Sequence, residues 1–240
     1  MGAFDIELLL QGLYPTDGQT SRPDARAETP AVSLLSAKPL PRRPVPRHPA
    51  VWRVGERPVT PARAIPCGVP GLERQLPGGG WQPGCINEII GHGTGIGEVS
   101  LLLPALASLT RKGETVALIA APFTPYAPAL QQAGVDLTHT LRIETQNTAD
   151  SVWAAEQALR SGTCGAVLVW LADADHTALR RLQLAAEAGD ACCFVLRHRA
   201  HAGATSPAAV RVEVRSDGRR REVRLLKCRG AQAGHVSLAA

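Results

Sequence analysis

The distribution of apolar and polar residues predicts an α/β fold. From about Ile65 to Arg197, short and nearly continuous apolar runs alternate with segments that have helical spacing. Such runs are typical of a parallel sheet that is covered by helices on both faces. The predicted strands are 84–90, 115–121, 140–145, 166–171 and 192–197, and the predicted helices are 98–110, 127–134, 149–160 and 176–188. We expect Asn147 or Thr148 to cap the third of these helices and Asp175 to cap the fourth.

A different pattern, with a period of two, begins near Ala208. The runs "AVRVEVRS" and "RREVRLLKC" flank the turn 216–219 and predict an antiparallel hairpin at one edge of the sheet. Strict alternation in the second run directs one set of side chains to the same face. That set is Arg221, Val223, Leu225, Lys227 and Arg229.

Proline separates this region from the N-terminus. Eleven of the 19 prolines lie between Pro15 and Pro66, and proline excludes helices and central strands. The run "FDIELLLQGL" before them suits a short helix or docking peptide, or else a frayed terminus. We predict four segments. They are a short N-terminal peptide or helix at 1–14, a proline-rich flexible linker at 15–62, a folded core at 63–230 and a C-terminal tail at 231–240.

Charge is unevenly distributed. The net charge is +5, but residues 197–240 contain 10 basic and 3 acidic side chains whereas residues 61–196 contain 8 and 12. A basic C-terminal block suits nucleic acid or an acidic protein surface, and a solvated basic face is the alternative.

The rest of the sequence argues against membrane and secreted proteins and against metal or cysteine chemistry. No apolar run is long enough to span a membrane, and the N-terminus lacks the cationic start of a secretory signal, so we expect a cytoplasmic protein without membrane contact. Six cysteines without a C-x-x-C pair predict buried, reduced thiols. His198 and His201 lack acidic or cysteine companions in the sequence, so we expect no metal site and no cysteine or histidine catalysis.

Three motifs carry a family resemblance. They are "LPGGGWQPGCINEIIG", "GEVSLLLPAL" and the C-terminal "LLKCRG". Together they resemble the ATPase core of RecA, and within that superfamily they are most similar to the ImuA family, the RecA/SulA-like components of bacterial SOS mutagenesis cassettes. The resemblance covers about Val51 to Gly230. It implies a RecA-like three-layer fold in which 63–230 is a degenerate ATPase core.

The nucleotide loop of this core lacks its lysine. A phosphate-binding loop requires two glycines five positions apart, followed by Lys and Ser or Thr. Here the glycines are separated by two, four or six positions, and Glu98-Val99 follow the last of them. The degenerate loop is Gly91, Gly93, Gly95, Gly97 and Glu98. Because an acid replaces the cation beside a triphosphate, we expect no cofactor and a pseudo-ATPase rather than an enzyme.

Two acids expected of a RecA-like ATPase are also missing. The strand after the loop helix ends in "IAAP", where an acid would position the attacking water, and Trp170 stands where the metal-binding Asp would be. Asp173 and Asp175 lie nearby, but capping the next helix explains them better.

The resemblance also identifies candidate contacts. Lys227 and Arg229 look like the cations that reach a neighbour's nucleotide in RecA filaments, and the link 197–208 is short where RecA has a longer DNA-binding loop. The candidate residues for partner or DNA contact are Arg197, Arg199, Arg219, Arg220, Arg221, Arg224, Lys227 and Arg229.

Two functions from different classes follow as hypotheses. The resemblance to the ImuA family implies an adaptor in error-prone translesion synthesis. Its partners would be an ImuB-like Y-family polymerase homologue, RecA and, indirectly, an error-prone replicative-type polymerase, with DNA as an additional candidate. The alternative is a SulA-like division inhibitor that binds the tubulin-like division protein. The basic C-terminal block and the proline-rich arm favour the first hypothesis.

Overall fold

A computed structural model describes residues 63–93, 97–216, 220–229 and 234–239. The predicted segments 1–14 and 15–62 lie outside these residues. The description begins at Arg63, the first residue of the predicted core. In the part of the chain that the structure describes, no helix is long and apolar enough to cross a membrane.

The core is one large sheet with helices on both faces. Its strands are β3 (Ile86–Gly91), β4 (Thr115–Ile119), β5 (Thr140–Ile143), β6 (Cys164–Trp170), β7 (Cys192–His198), β8 (Val210–Ser216), β9 (Arg220–Cys228) and β10 (Gly234–Ala239). A small antiparallel pair, β1 (Ile65–Pro66) and β2 (Gly80–Trp81), precedes them. The helices are α1 (Pro70–Glu73), α2 (Leu103–Thr110), α3 (Ala127–Gln132), α4 (Thr148–Arg160) and α5 (His176–Gly189).

The strand order of the large sheet is β10-β9-β8-β3-β7-β6-β4-β5. The six strands from β8 to β5 are parallel. Parallel neighbours need long crossover connections, and α-helices supply most of them here. β9 pairs antiparallel with β8, which confirms the predicted hairpin, and β10 pairs antiparallel with β9. β10 lies within the predicted C-terminal tail, 231–240, so this strand was not predicted.

Two apolar layers sandwich the sheet. On one face, Leu102, Leu106 and Leu109 of the α2 region pack with Phe194 and Val212. On the other face, α4 and α5 pack against the alternate strand residues; their buried side chains there include Val152, Leu159, Leu179 and Leu182. The mostly parallel sheet between two helical layers confirms the predicted α/β three-layer fold.

Local chemistry explains most element ends. Asn147 accepts from the Asp150 N–H at 2.9 Å, and Asp175 accepts from the Ala178 N–H at 2.7 Å, so both predicted caps are confirmed. α2 begins at Leu103, five residues later than predicted, because Pro104 occupies its first turn and residues 98–102 form turns instead.

Candidate functional site

The carboxyl ends of β3, β4, β6 and β7 surround a cleft of about 330 Å³. Open α/β sheets bind ligands outside the carboxyl ends of their strands, so a nucleotide would bind here. The lining residues include Gly91, Gly93, Glu98, Ala120, Pro122 and Trp170. The structure thus brings Gly91, Gly93 and Glu98 of the predicted degenerate loop together with Trp170 in one cleft.

The loop places an acid in this cleft. Gly91 ends β3, Gly93 lines the cleft, and Gly97 has φ 92°, a left-handed conformation that favours glycine. Gly95 lies outside the described residues. Glu98 is only 8% exposed and lines the cleft. A buried carboxylate therefore stands near the start of the loop helix, where a phosphate-binding loop has its lysine.

Apolar residues lie at the two positions where the resemblance predicts the acids of a RecA-like ATPase. Trp170 is the last residue of β6, and it lines the cleft while packing partly on the core below α2. Pro122 lines the same cleft from the loop after β4. An indole N–H can only donate and a proline side chain has no polar atom, so neither residue can bind Mg²⁺ or accept a proton from water.

Ala120 connects β4 to this loop in an unusual conformation. Its φ is 57°, in the left-handed region, and its N–H donates to the Ile143 carbonyl oxygen at 3.0 Å. For a residue with a Cβ this conformation costs about 1 kcal/mol or more. It ends β4 at Ile119, two residues before the predicted end, and directs the chain past the cleft.

A second, more apolar groove adjoins the cleft. It encloses about 280 Å³ between α2, β4 and α3, and Glu98 and Trp170 line both cavities. Phe123 and Tyr126 line it and are 71% and 72% exposed. Aromatic side chains from the loop after β4 thus extend the apolar surface beside the degenerate nucleotide cleft.

A buried ionic cluster lies behind the loop, on the sheet face that α4 and α5 also cover. Arg211 donates from Nε to Glu88 Oε2 at 2.8 Å, and Arg197 Nη1 lies 3.6 Å from Glu88 Oε1. The Ser206 hydroxyl donates to the same Oε1. Burial lowers the pKa of Arg197, although the Glu88 carboxylate opposes this shift.

Arg211 also shapes the link between β7 and β8. Its Nη1 donates to the carbonyl oxygens of Ala202 and Ala204 at 3.1 and 2.9 Å, and its Nη2 donates to that of His201 at 2.8 Å. Since Glu88 belongs to β3, one ion pair connects the strand before the glycine-rich loop to the link between β7 and β8. This connection was not predicted.

Arg197 does not lie at the surface. Its side chain is 3% exposed, and its Nη2 donates to the Ala174 carbonyl oxygen at 2.5 Å. The prediction that Arg197 contacts a partner rested on its place in the basic C-terminal block. It cannot reach a partner without breaking this buried cluster, so we leave it out of the contact surface.

Several other cations of the basic C-terminal block lie in the link after β7 and on or beside β8 and β9. Arg199 is half-exposed, and its Nε donates to Glu213 Oε1 at 3.3 Å. Arg215 Nη2 donates to the same carboxylate, with 3.1 Å to Oε2. Arg224 is exposed and lies opposite Glu213 in the strand register. We call Arg199, Arg215, Arg224, Lys227 and Arg229 the basic surface.

A bulge in β9 places Lys227 on the opposite face of the sheet from the predicted one. Arg211 pairs with Lys227, but Val212 pairs with Leu225, so Leu226 is an extra residue between the two pairs. Val223, Leu225 and Cys228 are therefore the residues that point into the core. Lys227 instead shares the face of Arg211, and the prediction that it shares the face of Val223 and Leu225 was wrong.

Lys227 contacts the link between β7 and β8 directly. Its Nζ donates to the Ser206 carbonyl oxygen at 2.8 Å. Partial burial, and then the positive charges of Arg229 and Arg211, lower its pKa. The Arg229 side chain is exposed, and the backbone N–H of Arg229 donates to the Ala209 carbonyl oxygen at 2.8 Å.

Some predictions fall outside this description. Arg219 lies outside the described residues, and only the backbone of Arg220 and Arg221 is described, as part of β9. Sequence reasoning missed Glu88, Ser206, Arg211 and Arg215 as members of the site. The only signal for Glu88 was an acid inside a strand of mostly apolar residues, because a buried acid requires a cation nearby.

The cysteines and histidines form no other site in the described residues. All six thiols are unpaired; five are buried, and Cys85 is half-buried. His201 lies 3.8 Å from Asp173, a companion that the sequence did not reveal. Across 63–93, 97–216, 220–229 and 234–239, no group of three or more His, Cys, Asp or Glu residues could hold a metal ion.

Comparison with known proteins identifies the family. A family model described as "Cell division inhibitor SulA" matches residues 84–193. The chain is 30% identical to Protein ImuA of Caulobacter vibrioides over 149 residues, which are 60% of this chain and 61% of that protein. It thus spans less than two thirds of the length of this ImuA.

Two further relatives match the same core. The cell division inhibitor SulA of Serratia proteamaculans is 30% identical over 118 residues, which are 49% of this chain and 70% of that protein. RecA of Streptomyces avermitilis is 28% identical over 141 residues, which are 59% of this chain and 36% of that protein. With a mostly parallel sheet between two helical layers and these relatives, the chain belongs to the RecA-like family that includes ImuA and SulA.

Proposed function

We propose that this protein is a non-enzymatic adaptor in SOS-induced, error-prone translesion DNA synthesis. It links RecA to an ImuB-like homologue of Y-family polymerases and, through them, to an error-prone replicative-type polymerase in the cytoplasm. The similarity to ImuA supports the DNA-damage context. The chemistry of the nucleotide cleft supports a role without catalysis.

The observation that carries this proposal is the pair Glu98 and Trp170 in one cleft. A triphosphate placed there would meet a buried carboxylate instead of a lysine, and a pair of unit charges about 4 Å apart is worth roughly 4 kcal/mol at an effective dielectric of 20. With an indole in place of the metal-binding acid, Mg²⁺ could not offset this repulsion. The domain is therefore a pseudo-ATPase that uses a RecA-like fold for binding.

Calorimetry tests this part of the proposal. We expect no saturable heat when the 240-residue chain is titrated with ATP and Mg²⁺, and no phosphate release in a hydrolysis assay. Glu98→Gln removes the repulsion without restoring the lysine, and it should remain inactive in hydrolysis. Micromolar binding of ATP by the unmodified protein would overturn the pseudo-ATPase assignment.

The basic surface is the proposed working surface. Lys227 and Arg229 are exposed and adjacent, and each is held through a contact to the segment before β8. Exchanging both for glutamate reverses the local field without creating a cavity. If the partner is DNA, affinity should fall steeply with salt because counterions are released. If the partner is a protein, substitution of the arginines at the centre of the interface should weaken binding more than substitution of those at its rim.

A SulA-like division inhibitor remains the second candidate, because the SulA family model and the Serratia relative support it equally. Such a protein would bind the tubulin-like division protein and stop septation. The two functions give different phenotypes. An adaptor changes the frequency of damage-induced mutation, whereas an inhibitor makes cells filamentous when it is overproduced.

Complementation of a deletion strain distinguishes the adaptor from the division inhibitor. A strain without the gene is complemented with the unmodified protein, with Lys227→Glu/Arg229→Glu, or with Arg111→Glu/Lys112→Glu, which makes the same charge change at another exposed pair. We expect only the first double variant to lose damage-induced mutagenesis, with protein levels unchanged. Filamentation on overproduction, together with normal mutagenesis in the deletion strain, would reject the adaptor and support the inhibitor.

A further inference from the structure

The groove beside the nucleotide cleft is mostly apolar and contains one carboxylate. Its walls come from α2, β4 and α3, and they include Leu106, Leu118 and Leu130. Among the described residues that line the groove, Glu98 is the only one with a charged side chain. A carboxylate in apolar surroundings attracts a cation more strongly than one in water does, because the effective dielectric is lower. The charge of the groove therefore suits a positively charged occupant.

The described cations closest to this carboxylate belong to other contacts. Arg197 and His198 line the cleft but not the groove. The guanidinium of Arg197 is directed to Glu88, with 3.6 Å from Nη1 to Oε1. Arg111 follows the opposite end of α2 from Glu98 and lines neither cavity. The negative charge of the groove is thus not balanced by a cation among the residues that line it.

Three aromatic side chains line the same groove. Trp170 lines both the groove and the cleft, as Glu98 does. Phe123 and Tyr126 are 71% and 72% exposed. Aromatic faces attract cations, an indole most strongly, and a planar guanidinium also stacks on them. Apolar walls suit the aliphatic stem of a long cationic side chain, while the carboxylate suits its charged end.

We propose that the groove binds an arginine side chain of a partner protein. The guanidinium pairs with the Glu98 carboxylate beside Trp170, and the aliphatic stem packs on the apolar walls. Arginine suits this site better than lysine, because its planar fork matches a carboxylate and it is more weakly hydrated than an ammonium group. The same carboxylate repels phosphates and acidic peptides.

The size and the rim of the groove favour a protein over a small amine. Cavities for small molecules usually enclose about 300–1,000 Å³ and bury most of the ligand. This groove encloses about 280 Å³, and Phe123 and Tyr126 keep most of their surface in solvent, where they can contact the residues that flank an arginine. Arginine and aromatic residues often dominate the binding energy of protein interfaces. The inference goes beyond the function proposed above, because it holds whether the partner acts in mutagenesis or in division.

Fluorescence anisotropy with matched peptides tests the proposal. The probe is a short fluorescein-labelled peptide with one arginine between two leucines. The control peptide has citrulline in place of arginine, which keeps the shape of the side chain and removes its charge. We expect the 240-residue chain to bind the arginine peptide at least about tenfold more tightly than the citrulline peptide. A peptide with lysine at the same place should bind less tightly than the arginine peptide.

Variants of the protein complete a double-mutant cycle with the two peptides. Glu98→Gln keeps the shape of the side chain but removes its charge, so it should weaken binding of the arginine peptide at least about tenfold and change binding of the citrulline peptide little. Phe123→Ser should weaken binding of both peptides, because it removes an apolar contact. Asp173→Asn is the matched control, since it neutralises an acid that is 89% exposed and lines neither cavity, and binding should not change.

The outcomes separate the possible occupants. No binding of the arginine peptide, equal affinity for the two peptides, or equal losses in Glu98→Gln and Asp173→Asn would overturn the proposal. The peptide comparison uses the unmodified chain, so it decides the proposal even if urea unfolding shows that Glu98→Gln is not folded. Arginine amide that binds as tightly as the peptide would identify a small amine as the occupant and would also overturn it. Binding of ATP would reject the pseudo-ATPase assignment alone, because the arginine preference is measured separately.

Discussion

Glu88 and Arg211 form a buried ion pair between β3 and β8, with 2.8 Å from Arg211 Nε to Glu88 Oε2 and side chains that are 0% and 8% exposed. Every other described hydrogen bond of Arg211 goes to a carbonyl oxygen of the link between β7 and β8. The conformation of this link therefore depends on a residue of the strand that leads into the degenerate loop.

Breaking this pair should destabilise the protein strongly. Arg211→Met keeps most of the aliphatic volume but leaves the Glu88 carboxylate buried with Ser206 and Arg197, so we expect a loss of about 3–5 kcal/mol in the free energy of unfolding. Urea denaturation followed by circular dichroism measures it. Arg199→Gln removes a half-exposed guanidinium from Glu213, which is buried but keeps its contact with Arg215, and should cost about 1 kcal/mol or less. Similar losses in the two variants would contradict the special role of the buried pair.

Loss of the α5 cap should lower the free energy of unfolding less than loss of the buried ion pair does. Asp175→Ala removes the acceptor of the Ala178 N–H, and we expect a loss of about 1 kcal/mol. Asp173→Ala is the matched control, since Asp173 is 89% exposed, caps no helix and should change stability by about 0.5 kcal/mol at most. Thermal denaturation of both variants compares them. An equal effect of the two substitutions would mean that charge, rather than capping, stabilises this turn.

Close packing of α4 and α5 depends on a glycine. A Cβ at Gly189 would lie 1.8 Å from the Leu159 carbonyl oxygen, which belongs to the backbone and cannot rotate away. We expect Gly189→Ala to destabilise the protein by about 1–3 kcal/mol through this steric overlap. A Cβ at Gly203 would meet no atom within 4 Å, so Gly203→Ala should be neutral or slightly stabilising. Urea midpoints that do not differ between the two variants would show that the helices can separate at little cost.

Local signals explain what the sequence predicted well. Asn147 and Asp175 cap helices through contacts three residues away, so the residues that decide them are adjacent in the sequence. The apolar strands and the degenerate loop are equally local. Glu98 and Trp170 could be assigned to one cleft because parallel strands end at the same edge of the sheet.

Non-local contacts explain what it did not predict. Arg211 and Glu88 are 123 positions apart, and nothing in either segment indicates the pairing. Arg197 resembles a surface cation in the sequence, but its strand is central and its guanidinium is buried. Lys227 was assigned to the wrong face because period-two alternation assumes a regular strand, and a bulge at Leu226 reverses it.

Ionisation of buried thiols should reduce stability at high pH. Cys67 is fully buried and Cys228 is 8% exposed, and burial raises the pKa of both thiols from 9.0 to about 11. Because the pKa is higher in the folded state, this contribution to stability is fully present below about pH 9 and is lost as the pH rises towards 11. The unfolded chain releases the thiol protons first, so the free energy of unfolding should fall across this interval. Urea denaturation in the presence of a reductant, repeated from neutral pH to about pH 11, measures the slope.

Serine variants isolate this effect from the titration of lysine and tyrosine. Cys67→Ser and Cys228→Ser remove one titrating thiol each, so each should flatten the fall in unfolding free energy above about pH 9, whatever its effect at neutral pH. The slope is the readout, because a buried serine also changes packing and hydrogen bonding. Native thiols should also react slowly with Ellman's reagent at neutral pH, since the thiolate is the nucleophile. If the variants retain the slope of the unmodified protein, these two thiols do not titrate as their burial requires.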